Sequence, residues 1–420
     1  MQACDVLFVH TNFPGQFRHL AAHLAQDPRF RVFALTSGRQ RAISGVRILR
    51  YQLPEGAGNP ASVHPFARRF DGECWRAEQI MYLANALRAE GVRPRLVFVH
   101  PGWGEALPIR VLFPDAKICA FCEFFYRSAG VDVGFDPEFP QMGVDGLVRV
   151  HLRNAATLLA LVDADVGVAP TRWQRDVFPV EFKSKIRVLH EGINVQEAKP
   201  DPAAAYRLPD GRTVSAGDEI VTFVARNLEP YRGYHILMRA LPAILEARPQ
   251  AHVLIVGGNG VSYGALPPGA ESWAAIFLNE LRPRLDLSRV HFLGRLERAQ
   301  YLRILKVSAA HVYLTYPFVL SWSMLEAMAA GCLVIGSDTP PVREALEHGK
   351  TGLLFPFFDQ DALAGQVISA LAHPGKFLAI RQEARRSAVE RYGVRETSLP
   401  AYLSLVEDLL RGPTRSGAYA

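Results

Sequence analysis

Short apolar runs alternate with longer stretches of helical periodicity along most of this chain. In the first half DVLFVH (5–10), FRVFALT (30–36), VRILRY (46–51), RLVFVH (95–100), KICAFC (117–122), VGVAP (166–170) and IRVLHEG (186–192) read as strands. Apolar residues at helical spacing predict helices over 17–27 and 74–91, and one long helix over 147–165. Continuous apolar runs bounded by turn residues suit strands buried on both faces, as in parallel sheets.

A polar stretch rich in Pro, Ala and Gly, 197–219, predicts a linker with a turn. The alternation then resumes, with strands expected over 220–226, 251–258, 290–294, 310–315 and 333–338. Helices are expected over 234–249, near 271–284 and over 298–307. The fold class is therefore α/β, with two doubly wound parallel-sheet (Rossmann-like) domains, 1–196 and 197–395, facing a cleft. Clefts of that kind hold ligands. A last helical segment, 393–412, contains Pro400, which predicts a kink. The expectation is that 396–420 packs back on the first domain.

Composition changes this picture little. The chain has 420 residues, 49% hydrophobic and 21% charged, which is ordinary for a globular protein. Five scattered cysteines argue against a disulfide framework and suit a reducing, cytoplasmic setting. The lone C-x-x-C at Cys119–Cys122 has no second ligand pair, so no metal is expected. The start of the chain lacks the pattern of a signal peptide, and no apolar stretch is long enough to span a membrane. A formal charge of +6 is compatible with anionic ligands or with peripheral docking on the inner face of a membrane. It is too dispersed to indicate nucleic acid.

One carboxylate stands out. In YPFVLSWSMLEAMAAGCLVIGSD (316–338), Glu326 is the only acidic residue before Asp338. Ser323 and Glu326 fit a capping box, Gly331 a left-handed helix stop, and Leu333–Ile335 a buried strand. The local reading is a helix cap. The alternative is a carboxylate facing a ligand, because a buried carboxylate needs a partner.

Other candidates sit where strands end, the ligand-binding edge of a parallel sheet. Gly15, between the first strand and a helix, lets backbone amides approach an anion. Arg226 and Arg232 flank the end of a strand and the start of the next helix, where two guanidiniums can clamp a diphosphate. The loop Gly257-Gly258-Asn259-Gly260 follows a buried strand and can cover a nucleotide. It is not a dinucleotide fingerprint. With these arginines beside it, Glu326 is explained most simply by the vicinal hydroxyls of a ribose-diphosphate ligand.

These motifs carry a resemblance. VARNLEPYRG, LIVGGNG, HFLGRL, LSWSMLEAMAAGCLVIGSD and REALEHGKTGLLF together resemble the nucleotide-sugar domain of retaining GT-B glycosyltransferases of family 4. The resemblance implies that Glu326 holds the donor ribose, that Arg226 and Arg232 bind the donor diphosphate, and that Gly15 lies under it. Gly258 and Asn259 are placed on the donor by the same likeness. The first Glu of the family's E-x7-E element would fall at 318, where this chain has Phe318. A carboxylate near the donor sugar is lost there, while the backbone amides of Val319, Leu320 and Ser321 are expected to face the diphosphate.

On the acceptor side the resemblance points to His100 and Glu123, each at a strand end. A loop after Glu123 carries Tyr126, Arg127, Asp132, Asp136 and Glu138 and reads as a binding loop. The implied activity is transfer of a sugar from a nucleotide-diphosphate sugar (UDP- or GDP-linked) to a hydroxyl of a glycan or lipid-linked acceptor, with retention and without metal or other cofactor. Two alternatives remain at this point: a nucleotide-sugar-binding protein without turnover, suggested by Phe318, and another GT-B enzyme such as an epimerase or phosphorylase.

Overall fold

The computed structural model describes residues 3–38, 42–58 and 63–412. The chain divides into two units at Gly192/Ile193 and again at Glu396/Thr397, so the last segment belongs to the first unit.

The first unit is built on β1 (Cys4–Val9), β2 (Phe30–Thr36), β3 (Val46–Arg50), β4 (Pro94–Val99), β5 (Lys117–Phe121), β6 (Val166–Ala169) and β7 (Ile186–Val188). Their spatial order is β3-β2-β1-β4-β5-β6-β7. Central β1 pairs in parallel with β2 and β4, Val6 lying opposite Val32 on one side and Leu96 on the other. The strand order reverses at β1, which opens a crevice past the carboxyl ends of β1 and β4. Beneath that crevice Phe8, Phe17, Phe98 and Phe121 are buried together, Phe8 stacking on Phe98 with centroids 5.3 Å apart.

The long helix expected over 147–165 is two helices, Val144–Leu152 and Ala155–Asp163. Asn154 breaks it. Its side chain takes the backbone of Tyr126 in both directions, Nδ2 donating to Tyr126 O at 2.8 Å and Oδ1 accepting from Tyr126 N at 2.9 Å. Asn side chains that bond distant backbone compete with the helical ladder.

The C-terminal helix Leu399–Arg411 buries Tyr402, Leu405 and Val406 in the core of the first unit. Ion pairs Arg29–Glu407 (3.0 Å) and Arg187–Asp408 (2.8 Å) flank that contact. A π-helical turn over Val394–Ser398 directly precedes this helix. Pro400 occupies the first turn of the helix itself, where its missing amide would have no partner anyway.

The second unit contains β8 (Ala205–Arg207), β9 (Thr213–Ser215), β10 (Ile220–Asn227), β11 (His252–Gly258), β12 (Val290–Gly294), β13 (Ala310–Tyr313), β14 (Leu333–Ser337) and β15 (Leu353–Phe355). Six form a parallel sheet of order β12-β11-β10-β13-β14-β15, with its switch point between β10 and β13. The stretch expected to be a linker instead holds the antiparallel β8–β9 pair. Ala204, Leu208 and Val214 pack there against Leu254, Ile304 and Val307. Turn residues between the strands hid that alternation.

Candidate active site

In the first unit, three polar side chains follow the strands around the switch point: His10 after β1, His100 after β4 and Glu123 after β5. The turn after β1 brings Gly15 over His10. Gly15 has φ +45°, and a Cβ there would lie 2.5 Å from His10 Nε2, so only glycine fits. His10 Nδ1 accepts from Asn12 N at 2.8 Å, which leaves Nε2 to donate to Gln16 Oε1, also at 2.8 Å. Gln16 Nε2 in turn donates to Glu123 Oε1 at 2.9 Å. His100 Nδ1 accepts from Gly102 N at 3.2 Å, and its Nε2 lies 3.4 Å from Glu123 Oε2.

Both imidazoles are buried, and Trp103 covers them, its centroid 4.3 Å from that of His100. Burial, with the neighbouring His100, pushes His10 down to about 3, so its ring is neutral. Burial alone would raise the Glu123 carboxyl, but its contacts with His100, His10 and Gln16 outweigh that and hold it below the ordinary value. The cluster therefore offers a carboxylate held below its ordinary value and linked through Gln16 to the neutral ring of His10. His10 and Gln16 escaped sequence reasoning, although a polar residue directly after a strand is the same signal that picks out His100.

Of the acceptor-side loop, Tyr126 is half-buried, tied to Asn154 and covered by the Arg153 guanidinium 4.1 Å from its ring centroid. Arg127 is exposed. Asp132 and Asp136 are buried, and Asp136 Oδ1 accepts from Glu138 N at 3.0 Å.

In the second unit, β10 leads through a turn to Pro230–Arg232 and then to Gly233 at φ +65°. A Cβ on Gly233 would lie 2.3 Å from Leu314 Cβ, so the turn presses directly on the segment after β13. That approach seats the buried Arg232 at the switch point. Its Nη1 donates to Thr315 Oγ1 at 2.7 Å, to Val319 O at 3.0 Å and to Tyr313 OH at 3.4 Å. Arg226 shares none of these bonds and is exposed on β10, so the expected arginine pair is not one cluster. Alternation along the strand turns Arg226 outward while the turn folds Arg232 back.

Glu229 organises the loop after β11. Its buried carboxylate accepts from the amides of Ser262 (3.0 Å), Gly264 (3.2 Å) and Tyr263 (3.4 Å). Asn227 adds a bond to Ser262 Oγ at 2.7 Å and accepts from Arg295 Nη2 at 2.9 Å. Gly258 lies under that pair, a Cβ there falling 2.7 Å from both Asn227 Oδ1 and Arg295 Nε, while Asn259 is exposed beside it. An acidic residue between two arginines was the overlooked clue to Glu229.

The capping box is not formed. The helix Trp322–Ala329 starts two residues earlier than expected and is capped by Ser321 Oγ, which accepts from Ser323 N at 3.3 Å. Glu326 lies mid-helix and is buried. It takes its partners from the helix Arg298–Val307, with Arg298 Nη1 2.7 Å from Oε1 and the Tyr301 hydroxyl donating to Oε2 at 2.6 Å. Of the amides of 319–321, that of Ser321 is already engaged, donating to Tyr313 OH at 2.8 Å, and the Leu320 residue is buried. Phe318 is buried against Tyr263 (4.7 Å) and edge-on to Tyr231 (5.6 Å), with the Arg232 guanidinium 5.1 Å from the Tyr263 centroid.

This chain carries two all-parallel sheets, each with polar side chains gathered at its switch point. Residues 28–198 match the family model described as "Glycosyl transferase family 4 group", and residues 210–387 match "Glycosyl transferases group 1". The chain belongs to the group 1 glycosyl transferases of the family 4, GT-B type. It is 28% identical over 208 residues to a D-inositol 3-phosphate glycosyltransferase of Rhodococcus jostii, covering 49% of this chain and 44% of that protein. It is 24% identical over 300 residues to a GDP-mannose-dependent alpha-(1-6)-phosphatidylinositol monomannoside mannosyltransferase of Mycolicibacterium smegmatis, covering 69% and 72%. The chain spans about half the length of the first of these curated relatives. Its fold is similar to that of sucrose-phosphate synthase from Thermosynechococcus elongatus, with a TM-score of 0.73 at 18% identity over 97% of this chain and 100% of that one.

Proposed function

We propose that this protein moves a sugar from a nucleotide-diphosphate sugar to an acceptor hydroxyl with retention of configuration, in polysaccharide, lipopolysaccharide or other glycoconjugate synthesis. The observation that carries this reading is Arg232, a buried guanidinium held rigidly at the switch point of the second sheet. A fixed cation there stabilises the charge that grows on the departing diphosphate without reorganising. The bond between the anomeric carbon and the phosphate oxygen breaks, and the acceptor oxygen bonds to the same carbon. The acceptor proton passes to the leaving phosphate. Glu326 receives the ribose hydroxyls, and His100 and Glu123 orient the reacting sugar or its acceptor. No metal is assigned to the reaction, because Arg232 supplies the positive charge.

The name of the mycolicibacterial relative makes GDP-mannose a first donor to test, with UDP-hexoses beside it. Among the described residues no helix is long and apolar enough to cross a membrane, and peripheral membrane contact belongs to this proposal through the net positive charge.

The test is thermal stabilisation by UDP, GDP and ADP, followed by nucleotide release from the matching sugar donors. A specific ligand raises the melting temperature by mass action. Stabilisation by one nucleotide together with acceptor-dependent release supports transfer. The absence of both overturns it. Phe318, standing where the resemblance implies a carboxylate, favours one other reading, a nucleotide-sugar binder, which would bind donor and release nothing.

A further inference from the structure

Beside the His100 turn, the first unit holds an open groove of about 730 Å³ between the start of the helix Arg68–Ala89 and the helix Val144–Leu152. Five guanidiniums line it, those of Arg68, Arg69, Arg76, Arg149 and Arg153, against a single lining carboxylate, Asp145. Asp145 is already engaged by Arg149 at 2.6 Å. Beneath the groove Glu73 is buried and pairs with Arg69 at 2.8 Å, while its Oε2 has no hydrogen-bond partner among the described residues. Burial pushes the Glu73 carboxyl up to about 7, so near neutrality it offsets only part of one of the positive charges above it.

Cations gathered in a concave site are costly without a counter-charge, because each repels the next. Here they are also held in place. Arg69 Nη2 donates to Gly102 O at 2.7 Å, Arg76 Nη1 donates to Gly72 O at 2.9 Å, and the Arg153 guanidinium sits 4.1 Å from the Tyr126 ring centroid. The contacts of Arg69 and Arg153 also tie the groove to the candidate site. Gly102 is two residues beyond His100, and Tyr126 is three beyond Glu123. Planar guanidiniums match phosphate oxygens in forked pairs.

We propose that this groove is the anion subsite of the acceptor, so that the sugar-accepting molecule carries a phosphate ester, seated on Arg69, Arg76 and Arg153 with its hydroxyl directed at His100 and Glu123. The proposal deepens the transferase reading and rests on it for the acceptor's role, but the anion site itself stands on the groove alone. The ester is either a soluble phosphate or a lipid headgroup. Val144, Val148 and Leu152, exposed at four-residue intervals along one helix of the groove, leave an apolar strip that a lipid-borne ester would use.

The experiment titrates sn-glycerol 3-phosphate, inorganic phosphate and neutral glycerol into the full chain by calorimetry, in phosphate-free buffer at fixed ionic strength. Sedimentation with vesicles of phosphatidylcholine, with and without phosphatidylinositol, runs in parallel. Glycerol 3-phosphate is expected to bind and glycerol not to. Arg76→Gln and Arg153→Gln are each expected to weaken binding about tenfold or more, while Arg47→Gln, which removes the same charge outside the groove, leaves it unchanged. Amide exchange on the wild-type chain gives a check that needs no variant, with protection expected at 65–76 and 144–153 when the ester is added. Selective retention by phosphatidylinositol vesicles, lost in the two groove variants, assigns the lipid source, and ester binding without vesicle retention assigns the soluble one. Binding equal for glycerol and its phosphate, or insensitive to both groove variants, overturns the proposal. Nucleotide release without ester binding removes this inference and leaves the transferase reading standing. Ester binding without nucleotide release does the reverse.

Discussion

The Tyr301 hydroxyl donates to Glu326 Oε2 across 2.6 Å, joining two helices of the second unit through one buried carboxylate. Burial and the charge of Glu326 push the Tyr301 phenol well above its ordinary range, so it remains a donor at every physiological pH. With Arg298 on the other oxygen, the carboxylate is fixed before any ligand arrives. Tyr301→Phe keeps the ring and removes only the donor. A hydrogen bond to a charged group is worth about 1.5–3 kcal/mol, and Arg298 offsets part of that loss. Donor affinity by calorimetry is expected to fall about three- to tenfold, with a small drop in Tm. Equal affinity in the variant would show that Glu326 needs no positioning.

Arg232→Ala is expected to lower kcat/KM about 100- to 1000-fold, the usual cost of deleting one preorganised donor at a developing anion. It also leaves Thr315 Oγ1 and Val319 O without their guanidinium partner, so stability falls by about 1–3 kcal/mol. Arg232→Lys restores charge but not the three-way bonding, and its rescue should be partial. Wild-type turnover should survive EDTA, and strict dependence on a divalent ion would contradict the guanidinium mechanism.

Arg226→Ala separates function from folding at the neighbouring arginine. Arg226 is exposed, and substitutions at such positions usually shift stability by no more than about 0.5 kcal/mol. A fall in donor turnover at unchanged Tm would give Arg226 a direct part in binding the diphosphate. Unchanged turnover would leave that task to Arg232.

His10 yields a pH prediction with a definite sign. Its folded value is depressed to about 3 from 6.5, so the unfolded chain binds the proton that the folded chain refuses. Stability from this group is present in full above 6.5 and is lost as pH falls from 6.5 towards 3, at no more than about 1.4 kcal/mol per pH unit. The ring resonances of His10 in NMR should stay in the neutral position down to about pH 4. Titration near 6.5 would mean that the His10–Gln16–Glu123 relay is not formed in solution.

Phe318→Glu tests whether the aromatic wall is a deliberate feature. The new carboxylate would be buried among Tyr231 and Tyr263, with the Arg232 guanidinium against the Tyr263 ring. Burying a polar group with incomplete hydrogen bonding costs about 2–4 kcal/mol. Thermal unfolding should move down accordingly, without a gain in transfer of a common hexose. A severalfold gain at unchanged stability would mark Phe318 as a damaged position.

The two sheets were legible because their strands are buried on both faces and leave continuous apolar runs, as at Val6–Val9 and Val253–Val256. Strand ends then singled out His100 and Glu123, the turn after β10 singled out Arg232, and a lone carboxylate in an apolar run singled out Glu326. What escaped were pairings between residues far apart in sequence. Nothing local in the stretch around Glu326 announces Tyr301 or Arg298, so a carboxylate three residues after a serine read as a cap. Asn154 looked like an ordinary helical residue until Tyr126 was known to lie beside it. The β8–β9 pair is short, and its turn-rich composition outweighed its alternation. Arg226 and Arg232 looked equivalent because spacing along the chain does not say which side chain a turn folds inward.

The helix Leu399–Arg411 makes the first unit discontinuous, and this bears on how the protein is synthesised. On the ribosome, residues up to Gly192 emerge with the surface meant for Tyr402, Leu405 and Val406 still uncovered. The unit made first must wait for the whole of the second before its core closes, so the order of synthesis is not the order of completion. A premature stop just before Leu399 would spare every residue of the second unit and injure the first. A fragment ending at Gly192 should be prone to aggregate until a peptide carrying 397–412 is supplied in trans.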